Sequence, residues 1–194
     1  KTLMGKNIPR ASLEQRLAGL TLSIAGPAHS SGIEHLRKLA YSTAINFELP
    51  NPETVAMRND EPGSICLMVT SKEHYAATVR LTMARERVSA ERLLEGRAPL
   101  AANYFPTLVI GRGATDPAFR GMGLMAFLVS VGVSVARQVG LGSATAVQID
   151  GTPHFKAMQA AGWDSRVIGQ ADLKVVRSGA DLLLVHMDRT RFAG

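Results

Sequence analysis

"DPAFRGMGLMAFLV", residues Asp116 to Val129, sets a proline, an arginine and two glycines directly before a long apolar run. The run from Gly121 to Ala136 is shorter than the ~20 residues a bilayer requires, contains Ser130 and Ser134, and is closed by Arg120 and Arg137. It therefore reads as a buried helix, and no membrane span is expected. A glycine-rich turn opening a helix presents backbone N–H groups that have no acceptor within the helix, at the positive end of its dipole. Anions bind at such a place. Gly121 and Gly123 let the backbone approach a phosphate, and Arg120 adds a charge-assisted donor. The competing explanation is that the two glycines only permit tight packing of the helix on a sheet. The mononucleotide loop ending in Gly-Lys-Ser or Gly-Lys-Thr is absent, as is a full dinucleotide fingerprint, which disfavours nucleotide triphosphate hydrolysis and hydride transfer.

The flanking sequence supplies the sheet. "LTLSIAG" predicts a first strand ended by Gly26-Pro27, and Ala11 to Leu17 a short leading helix. "SSGIEHLRKLAYSTAI" predicts a helix with Ile33, Leu36, Leu39, Ala40 and Ile45 near one face and Glu34 paired with Lys38 on the other. The proline-rich stretch "ELPNPETVAMRNDEPG" reads as a long connection, part of a lid. "SICLMVT" and "HYAATVRLTM" predict an antiparallel hairpin turning at Ser71-Lys72-Glu73. A helix over "SAERLLEGR" follows, then the strand "FPTLVIGRGAT", whose Gly111 and Gly113 suggest a bulge or a close approach to the backbone. After the central helix come the strand "SATAVQI", the helix "TPHFKAMQAAGW" ended by Gly162, and a closing hairpin of "DLKVV" and "DLLLVHM". The expected fold class is α/β, a mixed and mostly antiparallel central sheet flanked by helices, in one domain over residues 1–194 with residues 1–19 as a helical extension.

The composition suits a folded globular chain. Of its 194 residues 46% are apolar and 20% charged, enough to bury a core without staples. Cys66, the only cysteine, lies in "SICLMV", so no internal disulfide and no multi-cysteine metal site is possible, and no cationic residue flanks it in the sequence; it reads as a buried structural thiol. No metal site is expected. The net charge of +6 favours an acidic or phosphorylated partner, or is a solvated basic surface. The arginines are scattered without interleaved aromatics, so nucleic acid is not the expected partner. No tripartite signal opens the chain, and a cytoplasmic location is expected.

From these residues a family resemblance emerges. Pro117, Arg120 and Gly123 fit the phosphate loop of the GNAT acyltransferase superfamily, which reads Arg or Gln, two residues, Gly, one residue, then Gly or Ala; Met125 stands where that second small residue is expected. The order of strands and helices around the loop resembles the superfamily over most of the chain. "LRKLAY", "MRNDE", "TVRL" and "VIGRGATDPAFRG" resemble the spaced blocks of the acyl-homoserine lactone synthases and, more closely, of the bacterial N-acyl amino acid synthases of the long-chain N-acyl tyrosine type. Val109-Ile110-Gly111-Arg112 stands where the lactone synthases carry a carboxylate, which weakens the lactone reading.

The resemblance implies transfer of a long-chain acyl group from the phosphopantetheine thioester of acyl carrier protein, or from acyl-CoA, to the α-amine of an amino acid, with tyrosine first among acceptors and no permanently bound cofactor. Ala114, Thr115, Arg120, Gly121, Met122, Gly123, Leu124 and Met125 would hold the donor's phosphate, and its pantetheine arm would lie between splayed parallel strands over Leu108 to Ala114 and Ser143 to Ile149. Backbone N–H groups near Gly111 to Ala114 would meet the thioester oxygen. Arg37, Asp60, Arg80 and Arg112 occupy block positions near the substrate cleft, with Arg37 and Arg112 the choices for a carboxylate fork. An attacking amine must lose a proton, for which Glu48, Asp60, Glu61 and His154 are candidates. Met158 replaces the tyrosine that members of the superfamily often place in the late helix.

A long acyl chain needs an apolar channel, for which Met68, Met83, Met122, Met125 and Met158 are candidates unless they simply fill the core. Arg85, Arg87, Arg92 and Arg97 are candidates for contact with acidic carrier protein. Two alternatives stand beside this reading: an acetyl-CoA-dependent N-acetyltransferase of a small amine, and a non-catalytic module that binds acyl carrier protein or pantetheine.

Overall fold

Seven strands form one sheet in the order β1-β2-β3-β4-β5-β7-β6 in the computed structural model, which describes residues 18–43, 55–57, 64–72, 74–93, 100–170 and 181–192. The strands are β1 (Leu20–Ile24), β2 (Ser64–Ser71), β3 (His74–Ala84), β4 (Thr107–Thr115), β5 (Ser143–Ile149), β6 (Asp164–Gln170) and β7 (Asp181–Asp188). Four α-helices join them among the described residues: α1 (Ser30–Ser42), α2 (Arg87–Leu93), α3 (Leu124–Gln138) and α4 (Pro153–Ala160). Only β4 and β5 pair in parallel; every other neighbouring pair is antiparallel. This is the mixed, mostly antiparallel α/β architecture that the sequence predicts.

The apolar run of β2 lacks a polar face because both sides of the sheet are covered. Leu67 and Val69 point into the main core, where Val79, Leu81, Leu108 and Ile110 meet Leu124, Leu128 and Val129 of α3 and Phe155 and Met158 of α4. Cys66 and Met68 point the other way, to Ile33 of α1. Further along that second face, Ala84, Val109 and Leu184 pack with Ala90 of α2 and Leu100. Helix α3 comes close to the sheet because Gly132 has no side chain: a Cβ there would sit 3.0 Å from Leu81 Cδ2.

Several expectations are corrected. Arg37, not Leu39, joins Ile33, Leu36 and Ala40 on the buried face of α1, since positions 33, 36, 37 and 40 share one side of a 3.6-residue period. Glu34 Oε1 accepts from Ser30 Oγ at 3.1 Å and from the Met57 N–H at 3.3 Å, so its contacts run to the helix start and to a neighbouring segment. The strand that pairs with β7 is Asp164–Gln170, which the sequence analysis did not single out; it is an edge strand, with Val167 61% exposed, and needs no apolar alternation. The "DLKVV" segment lies outside the described residues, as do Ala11 to Leu17, Ile45 and most of the proline-rich connection. The helix expected over "SAERLLEGR" begins earlier, at Arg87. The hairpin between β2 and β3 and the bulge in β4 are found where they were predicted.

Leu128 is wholly enclosed whereas Val88 is 75% exposed. Leu128→Ala is expected to lower the unfolding free energy by about 2–5 kcal/mol, and Val88→Ala to change it by less than about 0.5 kcal/mol. Denaturant titration of both variants checks this; equal effects would contradict the packing of α3.

Candidate functional site: a parting between two parallel strands

Strand β4 stays paired with β3 as far as Ala77↔Thr115, but it pairs with β5 only at Thr107↔Ser143, Leu108↔Ala144 and Val109↔Thr145. Beyond that point β5 continues with β7 to Ile149↔Leu182. A slot therefore opens between β4 and β5 from Ile110 onward. Buried hydroxyls hold its closed end. Ser143 Oγ lies 2.8 Å from both Thr107 Oγ1 and the Tyr104 carbonyl oxygen, and Thr107 Oγ1 lies 3.3 Å from Thr145 Oγ1. All three hydroxyl residues are fully buried, so each unmade bond would leave a desolvated polar group.

At the open end β4 bulges. Arg80 sits opposite Gly111 and Thr78 opposite Ala114, and Arg112 takes a φ of 55°. The extra residue shifts the alternation of faces. Gly111 faces the α1 side, where a Cβ would lie 4.0 Å from Arg80 Nη2, and Ala114, three residues on, packs with Leu36 and Ala40 of α1. Gly113 faces α3 instead: a Cβ there would lie 3.0 Å from Met125 Sδ. The large residue at position 125 is thus accommodated by the missing side chain at position 113.

The chain then turns into α3. Asp116 Oδ1 accepts from the Ala118 N–H at 2.8 Å, and one 3-10 turn over Pro117–Phe119 leads to Gly121 and Gly123, with φ of 79° and 81°. Those values, rather than lack of room, call for glycine, since a Cβ at either position would meet nothing within 4 Å. Gly123 is the N-cap and offers no side-chain cap. The first intrahelical bond is Phe127 N–H to Gly123 O at 3.0 Å, so the N–H groups of Leu124, Met125 and Ala126 have no helical acceptor. Thr115 and Met122 flank this helix start on the described chain.

Arg120 does something the sequence does not reveal. Its Nη2 donates to Ala40 O at 2.9 Å and Thr43 Oγ1 at 2.8 Å, and its Nη1 to Thr43 O at 3.2 Å. The guanidinium caps the negative end of α1, whose last carbonyls have no helical donors. The loop before α3 and the end of α1 are thereby tied together.

A polar cluster lies beneath α1 at the level where the strands part. Cys66, Arg80 and Gly111 form one rung across β2, β3 and β4. Arg37 descends on it from α1: Nη1 donates to Ala56 O at 2.8 Å, Nη2 reaches Cys66 Sγ at 3.6 Å, and Nε has no partner among the described residues. Cys66 thus has a cationic neighbour, brought by the fold and not by the sequence. Its thiol also lies 3.1 Å from Thr78 Oγ1. Burial pushes the Arg37 pKa down, opposed by Tyr41, Cys66 and Glu34. Tyr41, one helical turn after Arg37, has its phenol pushed up by burial and pulled down by Arg37, Arg112 and Arg80. The three arginines that the resemblance sets near a cleft therefore all act on one tyrosine, which the sequence analysis did not single out.

Other candidates fall elsewhere. Met158 is 3% exposed in the main core. Met68 lies on the α1 face, whereas Met83, Met122 and Met158 belong to the opposite core, so the methionines form no single channel. Glu48, Asp60 and Glu61 lie outside the described residues. His154 is on the first turn of α4, with Nε2 enclosed and unpartnered among the described residues. A cleft of about 400 Å³, lined by Ser31, Gly32, His35, Leu36, His74, Tyr75 and Asp116, contains none of the predicted site residues, although Leu36 and Tyr75 on its wall pack against Ala114.

Burial lowers the His154 pKa from its ordinary 6.5. As pH falls below that value the unfolded imidazole takes a proton before the folded one does, so this contribution to stability is complete above about 6.5 and is lost on further acidification. Between about pH 7 and about pH 5 the wild type is expected to lose more stability than His154→Leu in urea titrations. Parallel curves would contradict the buried, neutral imidazole.

No protein-family model matches the sequence, and no curated protein matches it. Solved structures do match. The ribosomal-protein-S18-alanine N-acetyltransferase from Escherichia coli superposes with a TM-score of 0.61 at 12% identity, covering 87% of this chain and 93% of that one. FeeM, an N-acyl amino acid synthase from uncultured soil microbes, gives 0.57 at 11% identity, covering 89% and 94%. An acetyltransferase from Bacillus subtilis, solved in complex with CoA, gives 0.57 at 13% identity, covering 87% and 98%. At such identities the likeness is one of fold, and the chain has the α/β fold of the GNAT acetyltransferases.

Proposed function

We propose that the chain is an N-acyltransferase that draws an acyl group from a pantetheine thioester and transfers it to an amine. The observation that carries this reading is the parting of β4 from β5 after Val109↔Thr145, beside a helix start capped only by Gly123. The donor's phosphate would sit against the N–H groups of Leu124, Met125 and Ala126, which lack helical acceptors at the positive end of the helix dipole. Its pantetheine arm would enter the slot and offer amide groups to strand edges left unpaired with each other. Around the bulge, backbone N–H groups between Gly111 and Ala114 would meet the carbonyl oxygen as it becomes an oxyanion. One such donor is worth about 2.7–4 kcal/mol of barrier.

At a finer level, the reading is of an N-acyl amino acid synthase that takes a long-chain acyl group from acyl carrier protein and gives it to the α-amine of an amino acid, tyrosine first among candidates. The amine would arrive from the α1 face, where Arg37 and Arg80 meet at the Cys66 rung beside Gly111 and Arg112. Arginines in that number suit an acceptor carrying a carboxylate. FeeM, a structural neighbour, is an N-acyl amino acid synthase. The exposed Arg85, Arg87 and Arg92 on and beside α2, together with the net charge of +6, suit an acidic carrier. Arg87 also pairs with Glu91 at 2.6 Å, which trims the charge of that patch. The second reading, acetyl transfer from CoA, is favoured by the two acetyltransferases among the neighbours described above, one of them solved with CoA.

Incubation with decanoyl-acyl carrier protein, decanoyl-CoA or acetyl-CoA and a mixture of amino acids, followed by mass spectrometry, separates these readings. N-decanoyl amino acids from the carrier donor are expected. Acetyl amides alone would overturn the synthase, and no amide from any donor would overturn the acyltransferase. Arg120→Ala is expected to raise the donor KM roughly tenfold while lowering kcat less, because losing its bonds to Ala40 and Thr43 frees the loop before α3, which would hold the donor equally in ground and transition states. An unchanged KM would contradict the placement of the donor at this loop.

A further inference from the structure

We propose that the cleft between α1 and the start of β3 is a second ligand site, one that takes an organic ammonium ion with a compact apolar body. The inference goes beyond the acyltransferase reading and does not depend on it. One bank of the cleft is the first two turns of α1, with Ser31 and His35 exposed and Leu36 buried behind them. The other is the end of the sheet, where His74 and Tyr75 open β3 and Asp116 follows β4. A volume of about 400 Å³ is that of a small-molecule pocket.

Its walls are held in place without an occupant. A Cβ on Gly32 would collide with the Tyr75 ring, so that ring lies directly against the α1 backbone. His29 meets the same ring in a T-shaped contact, with centroids 6.5 Å apart. Asp116 is fixed twice: its N–H donates to Ala76 O at 2.9 Å, and its Oδ1 accepts from the Ala118 N–H at 2.8 Å. Its Oδ2 has no partner among the described residues. Leu36 and Tyr75 also pack against Ala114, and Ala114 is 3% exposed, so this wall separates the cleft from the bulge of β4.

Charge decides what such a cleft takes. The chain has 22 lysines and arginines against 16 acidic residues, yet no lysine or arginine lines the cleft and Asp116 is its one carboxylate. A phosphate or carboxylate would meet that negative group with no permanent cation to offset it. An ammonium gains a charge-assisted hydrogen bond to the carboxylate and an aromatic ring beside it. Its three N–H donors call for further acceptors, which Ser31, His35 and His74 supply from the rim. A metal ion fits less well, since among the described residues no three His, Cys, Asp or Glu side chains are grouped to hold one.

The test titrates the full 15N-labelled chain, without any acyl donor, with three ligands of one shape: tyramine, the neutral 4-hydroxyphenylethanol and the anionic 4-hydroxyphenylacetate. Tyramine is expected to give saturable amide shifts at Ser31, Gly32, His35, His74, Tyr75 and Asp116, with a Kd at least about tenfold below that of the neutral ligand, and the anion none that saturate. Asp116→Asn keeps the Oδ1 acceptor for Ala118 and removes the charge; it is expected to weaken tyramine about tenfold and to leave the neutral ligand little changed. Equal affinity for tyramine and the neutral ligand, saturation by the anion at the same residues, or unchanged tyramine binding in the variant would each overturn the site. So would the absence of saturable shifts up to about 10 mM tyramine. Should the variant fail to fold, the three ligands on the wild type decide the matter alone. No outcome here bears on acyl transfer, whose failure is read from missing amides.

Discussion

The contact on which the site depends is the buried hydroxyl network of Thr107, Ser143 and Thr145. It fastens β4 to β5 along three rungs and no further. A parallel pair continuing to the strand ends would bury its backbone groups in a ladder and leave nothing for a ligand. Here the ladder stops at Val109↔Thr145 while each strand keeps its other neighbour, β3 for β4 and β7 for β5. The slot is thus bordered by two paired half-sheets, so its edges are in place without a ligand to organise them. Such preorganisation removes part of the ordering cost that binding otherwise carries.

The bulge at Arg112 distributes work between the two faces of the sheet. Because it adds one residue, Gly111 and Ala114 both look toward α1, and Gly113 looks toward Met125 on α3. Helix α3 supplies the positive helix start and the main core from one side. From the other, α1 supplies Arg37 and Tyr41 and is anchored to the loop by Arg120. A single side chain therefore couples the place where a phosphate would settle to the helix over the place where an amine would arrive.

Much of this was legible in the sequence because it is local. The glycines before α3, the glycine pair in β4 and the Lys72 turn each act within a few residues, and local pattern reports such features faithfully. What was not legible depends on distant partners. Arg37 is set near a cleft only by the family resemblance, its burial depends on the sheet beneath α1, and Cys66 shows no cation beside it because Arg37 arrives from another element. Arg120 reads as a phosphate ligand on motif alone; its hydrogen bonds to Ala40 and Thr43 cross the sequence from a helix end. The edge strand β6 carries too few apolar residues to announce itself. Methionines close in composition prove to lie on opposite faces. The three hydroxyl residues that close the slot look like ordinary strand residues, and only the register sets them side by side.

On this reading the helix start at Leu124 and the parted edge of β4 would form one receptor for a pantetheine phosphate and its arm. Titration of the 15N-labelled chain with CoA, followed by amide chemical shifts, tests it most directly. The largest, saturable shifts are expected at Leu124 to Ala126 and at Gly111 to Ala114, with smaller changes in the cleft around Ser31 and Tyr75. Shifts centred on that cleft, or none at saturating CoA, would contradict it.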